Sequence, residues 1–222
     1  MMESINCGAT PINTLNTATY LTKALVLGFS ACIMPGPFQT YLIAETLRRG
    51  WRRGALVSLA PLASDGPVIL VVVLLLSRLP GWTLSALQSV GGLFVLYLAW
   101  GAWRASRASE GAASDPSLAE KRRSFMQAAT VNLVNPNVYL FWGTVSGPLL
   151  AQGWRQTPAL AIGFLGCFYG VLVGTELAIV ALVSGVRQLK PRLTRWLLGV
   201  SALLMAGLGV VQIVAGVKGL LG

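Results

Sequence analysis

The sequence predicts an all-α, polytopic membrane protein: six transmembrane helices in a 3+3 inverted repeat, with helices 1 and 4 broken. Three observations lead there. The 222 residues are 55% hydrophobic and only 11% charged, with a mean hydropathy of +0.68, whereas an ordinary soluble domain carries about 25% charged residues. The charges are also segregated. Runs with no charge or a single one fall at 24–44, 54–77, 79–103, 124–154, 156–186 and 196–217, each long enough to cross about 30 Å of hydrocarbon, which takes about 20 apolar residues. Finally, the same irregularities recur in the same order in the two halves of the chain. The runs show little helical amphipathicity, which argues against packed soluble helices. Short alternating segments, the signature of a membrane barrel, are absent.

The organisation is a short extracytoplasmic tail at 1–19 and one membrane domain at 20–222. The domain comprises repeat one at 20–103, a cytoplasmic loop at 104–124 and repeat two at 125–222. The stretch before Lys23 is polar and holds no Lys or Arg. With no basic n-region or cleavage site, no cleaved signal peptide is expected, and span 1 serves as its own targeting signal. The loop RASRASEGAASDPSLAEKRR is small, polar and mixed in charge, as a flexible connection would be. Basic residues set the orientation. Arg48, Arg49, Arg52 and Arg53 follow span 1; Arg104, Arg107, Lys121, Arg122 and Arg123 lie between spans 3 and 4; Arg187, Lys190, Arg192 and Arg195 lie between spans 5 and 6. The opposite face receives only Lys23, Arg78, Arg155 and Lys218. Basic loops stay in the cytoplasm, so both termini are expected outside. The net charge of +10 is accounted for by these clusters near lipid headgroups, and no nucleic-acid-binding module is expected.

Span 1 carries Pro35-Gly36-Pro37 in the middle of an uncharged run, and span 4 carries Asn135-Pro136-Asn137 at the matching position. Proline removes a backbone donor and crowds the preceding turn, and freed carbonyls in hydrocarbon are costly unless something satisfies them. A lone proline is more simply a packing kink. Paired interruptions in corresponding spans point to a transport site; Gln39, one turn past the first break, reads either as helix glue or as a further contact in that site. Span 2 holds Asp65 within APLASDGP, and span 5 holds Glu176. An acid at bilayer depth costs about 2.5–3.5 kcal/mol on insertion scales and marks function by default. With no Lys or Arg deep in any span, Asp65 is a candidate acceptor for a proton or for a substrate ammonium. The simpler reading of both acids is a side chain bonded to a neighbouring helix. Glu45 reads as an interfacial acid bonded to Arg48 or Arg49, or alternatively as a gate. Asn132 and Asn135 share a helix face and serve either as helix glue or as substrate contacts. Trp51, Trp82, Trp154 and Trp196 sit at span boundaries as an aromatic belt. Gly91-Gly92 and the Gly199, Ala202, Ala206 and Gly209 face suit close helix packing and leave room for a homodimer.

Cys7, Cys32 and Cys167 form no paired spacing, and histidine is absent. A disulfide framework, a metal site and a histidine proton switch are therefore not expected. No nucleophile–base pair suggests an enzyme, and no cofactor is expected.

From Gly28 and Pro35-Gly36-Pro37, through the basic, glycine-punctuated Thr46 to Gly54, Asp65, Gly91 to Trp100, and Phe125 to Phe141, to Arg195–Gly209, the chain resembles the LysE/RhtB amino-acid exporter family. The resemblance runs from about Tyr20 to the end. The order and spacing of the segments carry it, since no single motif is decisive. It implies a LysE-type transporter of the bacterial inner membrane that exports amino acids, driven by the proton gradient. The lipid bilayer and an amino acid-like solute are then its partners. Two departures flank the candidate site. Asn137 stands where the family often has lysine, and Pro61 and Ala63 stand where its second span is usually glycine-rich, departures that leave room for a solute other than the usual basic or neutral amino acids. The candidate substrate-binding or coupling residues are Pro35, Gly36, Pro37, Gln39, Asp65, Asn132, Asn135, Pro136, Asn137 and Glu176. The competing readings are a carrier of another small solute or ion and a membrane scaffold that transports nothing.

Overall fold

A computed structural model describes residues 16–33, 36–75, 82–107, 117–189 and 191–221. Among these residues the backbone is almost wholly helical and contains no strand. The elements are α1 (Thr17–Ile33), α2 (Pro37–Arg49), α3 (Trp51–Val57), α4 (Ala60–Leu75), α5 (Trp82–Arg107), α6 (Leu118–Leu133), α7 (Pro136–Phe141), a π-helical turn (Trp142–Ser146), α8 (Gly147–Gln156), α9 (Pro158–Leu189) and α10 (Pro191–Leu221). Pro35 lies outside the described residues, as do Cys7, Arg78, Lys190, residues 1–15 of the tail and residues 108–116 of the loop.

Four helical stretches are long and apolar enough to cross a membrane: Trp51–Val72, Ser85–Arg107, Pro158–Val186 and Arg192–Leu221. A fifth appears if α1 and α2, bent by 64°, count as one crossing. The remaining apolar run, 124–154, does not form one helix. It is divided into α6, α7, the π turn and α8, because Asn135-Pro136 and Gly147-Pro148 punctuate it. Helices also outlast the uncharged runs that announced them. α1 starts at Thr17 and carries Lys23 exposed on its surface, where a long side chain can reach out of the apolar layer.

Both interruptions have the same local cause. Pro37 and Pro136 occupy the first turn of α2 and α7, where a missing N–H costs nothing and the fixed φ suits the helix. The prolines therefore start second helices; they do not merely bend first ones. Gly36 precedes α2 in an extended conformation without a side-chain cap. Asn135 precedes α7, and its side chain accepts the Asn137 N–H at 3.1 Å. Gly50, between α2 and α3, has φ 89° and ψ 176°, a region essentially restricted to glycine.

The principal packing pairs are α5 with α10, α1 with α9, and α4 with α6 and α7, while α2 packs on α9 and α10. Apolar side chains such as Leu93, Ile162, Leu182 and Leu203 point outward, as expected of a surface that meets lipid. The α5–α10 seam is built from small residues. A Cβ on Gly92 would sit 2.6 Å from the Gly209 carbonyl oxygen, and one on Gly209 would sit 2.9 Å from the Gly92 oxygen. Gly91 abuts the Val134 carbonyl, at the break after α6. Such backbone-to-backbone approach is how apolar helices associate in lipid.

Candidate functional site

The two breaks and the two acid-bearing helices surround one cavity of about 130 Å³. That is well above the 10–15 Å³ needed for one water and below the 300–1,000 Å³ of drug-sized sites, so its scale is that of a small solute. Gly36 and Gln39 line it from the first break and α2. Asn132, Asn135 and Asn137 line it from α6, the second break and α7, and Asp65 and Glu176 from α4 and α9. Phe38, Phe141, Trp142 and Phe168 form aromatic walls. Pro37 and Pro136 are buried at the starts of their helices and do not line the cavity; they shape it. Among the described residues no Lys or Arg lines it.

The two acids are held differently. Asp65 is 3% exposed. Asn132 Nδ2 donates to its Oδ1 at 2.5 Å, and the Tyr169 hydroxyl donates to its Oδ2 at 3.0 Å. The Trp142 side chain also faces the carboxyl. Asn132 Nδ2 also donates to Ser64 Oγ at 2.8 Å, tying α6 to α4. Asp65 is thus a fully partnered carboxyl that fastens α4, α6 and α9 together. Glu176 is 1% exposed, and its Oε2 has no hydrogen-bond partner among the described residues. Cys32 lies close to it, but that thiol donates instead to the Leu172 carbonyl at 3.2 Å. A buried oxygen without a donor is costly, and this one borders an open volume.

Gln39 reaches back across the first break to the Ala31 carbonyl at 3.4 Å, so one terminal carbonyl of α1 is covered while the uncapped first turn of α2 borders the cavity. The first N–H groups of a helix have no internal partner and favour a negative group.

Glu45 stands apart from this cavity, six residues beyond Gln39, or about 9 Å along the helix. It is 2% exposed. Arg49 Nε lies 3.0 Å from its Oε1 and Arg48 3.7 Å from its Oε2, the arginine bonding expected of an interfacial acid. Ser124 Oγ donates to Glu45 Oε1 at 2.5 Å. Arg53, 1% exposed, donates to the Glu120 carbonyl and to Ser124 Oγ at 2.7 Å, and lies 3.4 Å from Glu120 Oε2. The Glu120 carboxyl is held below its usual range by the Ser117 backbone N–H and by Arg49. The network clamps α2 and α3 to the start of α6. Among the described residues no three His, Cys, Asp or Glu side chains gather to hold a metal ion.

Sequence reasoning placed Gly36, Gln39, Asp65, Asn132, Asn135, Asn137 and Glu176 in a site, and they share one cavity. It missed Tyr169 and Trp142. The available signal was that Trp142 falls deep inside an uncharged run, away from both boundaries. Trp142 is 1% exposed, whereas Trp51, Trp82, Trp154 and Trp196 are exposed as a belt requires. Arg53 was counted with the basic loop although it is buried.

A family model described as LysE type translocator matches residues 29–216. The threonine efflux protein of Escherichia coli strain K12 is 24% identical over 205 residues, covering 88% of this chain and 98% of that protein. The threonine efflux protein of Salmonella typhi is 23% identical over 204 residues, with the same coverage. No solved structure matches the chain.

Proposed function

This chain belongs to the LysE type translocator family, and we propose that it is a secondary-active exporter of amino acids or similar small zwitterionic solutes across the bacterial cytoplasmic membrane. One observation carries the reading: a solute-sized cavity enclosed by two interrupted helices and containing two buried carboxyls, one with a free oxygen. A zwitterion suits both ends of it. Its ammonium would be received by Glu176 Oε2, and its carboxylate by the uncapped first turn of α2. Half-helix termini facing a midplane site are a recurring transporter device. The similarity to threonine efflux proteins supports amino acids as the solute class and export as the direction.

In this reading the chain makes six crossings, with α6, α7, the π turn and α8 together forming the fourth, and both termini lie outside. The packing pairs support an inverted repeat. Exchanging crossings 1, 2 and 3 with 4, 5 and 6 turns the α1–α9 contact into the α6/α7–α4 contact and maps α5–α10 onto itself. Rocking of one half against the other would expose the cavity alternately, and protons entering on the acids would drive export. A homodimer would have to use another surface, because the Gly92–Gly209 seam is closed within the chain.

The test compares cells with and without the protein, preloaded with isotopically labelled amino acids and small peptides. Faster loss of one or more amino acids from the expressing cells is the expected outcome. Equal retention of every amino acid, with accelerated loss of an inorganic ion, would instead favour the ion-carrier alternative.

The network around Glu45 fits the gate anticipated for it, lying between the cavity and the basic loops. Cysteines at positions 45 and 124, in a background lacking the native cysteines, should arrest export when oxidised and release it on reduction. Undiminished export with the cross-link formed would rule the gate out.

A further inference from the structure

A second cavity, of about 470 Å³, opens between the C-terminal ends of α2 and α5 and the beginning of α6. Arg48 and Arg49 line it from α2, Arg104 from α5 and Arg123 from α6, with Trp100 and Gln127 among the remaining wall residues. Among the described residues no acidic side chain lines it. Retention of basic loops on one side of a membrane explains why arginines collect near that surface. It does not explain why guanidinium groups from three helices converge on one concavity of ligand size. Arg48 and Arg49 are anchored from behind by Glu45, and the Arg104 guanidinium lies 4.9 Å above the Trp100 ring. Three of the four cations are therefore held in place before any ligand arrives. Glu45 offsets one of the charges, and Glu120 reaches Arg49 alone of the four, at 3.3 Å, so the cavity keeps a positive excess.

We propose that this cavity binds a phosphate-bearing anion. Guanidinium forks match phosphate oxygens in pairs, and a basic pocket between membrane helices is suited to an anionic headgroup. Trp100 is exposed at the end of an apolar helix, so the cavity opens where a phospholipid headgroup would sit. A soluble phosphate carries the same chemistry. The site is separate from the transport cavity and does not depend on what that cavity carries.

The test measures thermal unfolding of the detergent-purified protein with phosphatidylglycerol, with phosphatidylcholine or with inorganic pyrophosphate. Phosphatidylglycerol or pyrophosphate is expected to raise the midpoint by several degrees through preferential binding to the folded state, while phosphatidylcholine does not. Stabilisation by phosphatidylglycerol alone assigns the site to lipid, and stabilisation by pyrophosphate as well assigns it to phosphate in general. In the double variant Arg104→Gln/Arg123→Gln, whose exposed side chains do not hold Glu45, the shift should vanish, and in Arg104→Lys/Arg123→Lys it should persist in part. If the double glutamine variant fails to fold, the single variant Arg104→Gln gives the same reading. Equal midpoints under all additions, or an undiminished shift in the glutamine variants, would overturn the proposal.

Discussion

Asp65→Asn reduces solute export by about a hundredfold or more, while the protein still inserts and folds. The substitution keeps the size of the side chain but turns one acceptor oxygen into a donor. That donor must then face Asn132 Nδ2 or the Tyr169 hydroxyl, which already donate to Asp65 at 2.5 and 3.0 Å. Hydrogen bonds to a charged group contribute about 1.5–3 kcal/mol each. Losing one such bond and leaving its buried donor unsatisfied costs about 3 kcal/mol in holding α4, α6 and α9 in the arrangement that shapes the cavity. At tenfold per 1.4 kcal/mol, that is about a hundredfold. Insertion should survive, because an amide is no harder to place at bilayer depth than an acid. The measurement is export from proteoliposomes, with membrane yield as the control. Export at the parental rate would remove Asp65 from the site.

Glu176→Gln is expected to give the opposite division between stability and activity. Its Oε2 lacks a partner, so an uncharged amide of the same shape forfeits no hydrogen bond at that atom. Burying an uncompensated charge is costly, so a neutral amide in its place removes that cost. The melting midpoint should therefore hold or rise. Export should nonetheless fall to background, because the group proposed to receive the substrate's ammonium and to exchange it for a proton can no longer do so. A pH gradient imposed on proteoliposomes should have no effect on the variant. Retained export with an unchanged response to the gradient would refute this role. A lowered midpoint with intact export would show that Glu176 is structural.

The interruptions and the acids were legible in the sequence because a long apolar run leaves few explanations for Pro-Gly-Pro, Asn-Pro-Asn or a solitary carboxyl. How the prolines act was only partly legible. Sequence reasoning emphasised lost donors and crowded turns, whereas Pro37 and Pro136 begin helices. The break of span 4 at Asn135-Pro136 was legible, but the π turn at Trp142–Ser146 was hidden because apolar content averaged over a window is blind to it. Tyr169 and Trp142 escaped notice because their approaches to Asp65 span 104 and 77 residues of sequence, and no local pattern encodes such distances. Arg53 escaped because counting charges in a loop says nothing about which one turns inward.

The seam between α5 and α10 bears on how motion in this protein can be observed. Main chain rests on main chain at Gly92 and Gly209, with the Leu96 and Ile213 side chains packed directly beside them, which leaves little room for sliding or rotation. The pair should behave as an internal ruler. Spin labels on the outward-facing Leu93 and Val210 would report a constant separation throughout turnover, against which displacements of the remaining helices could be calibrated.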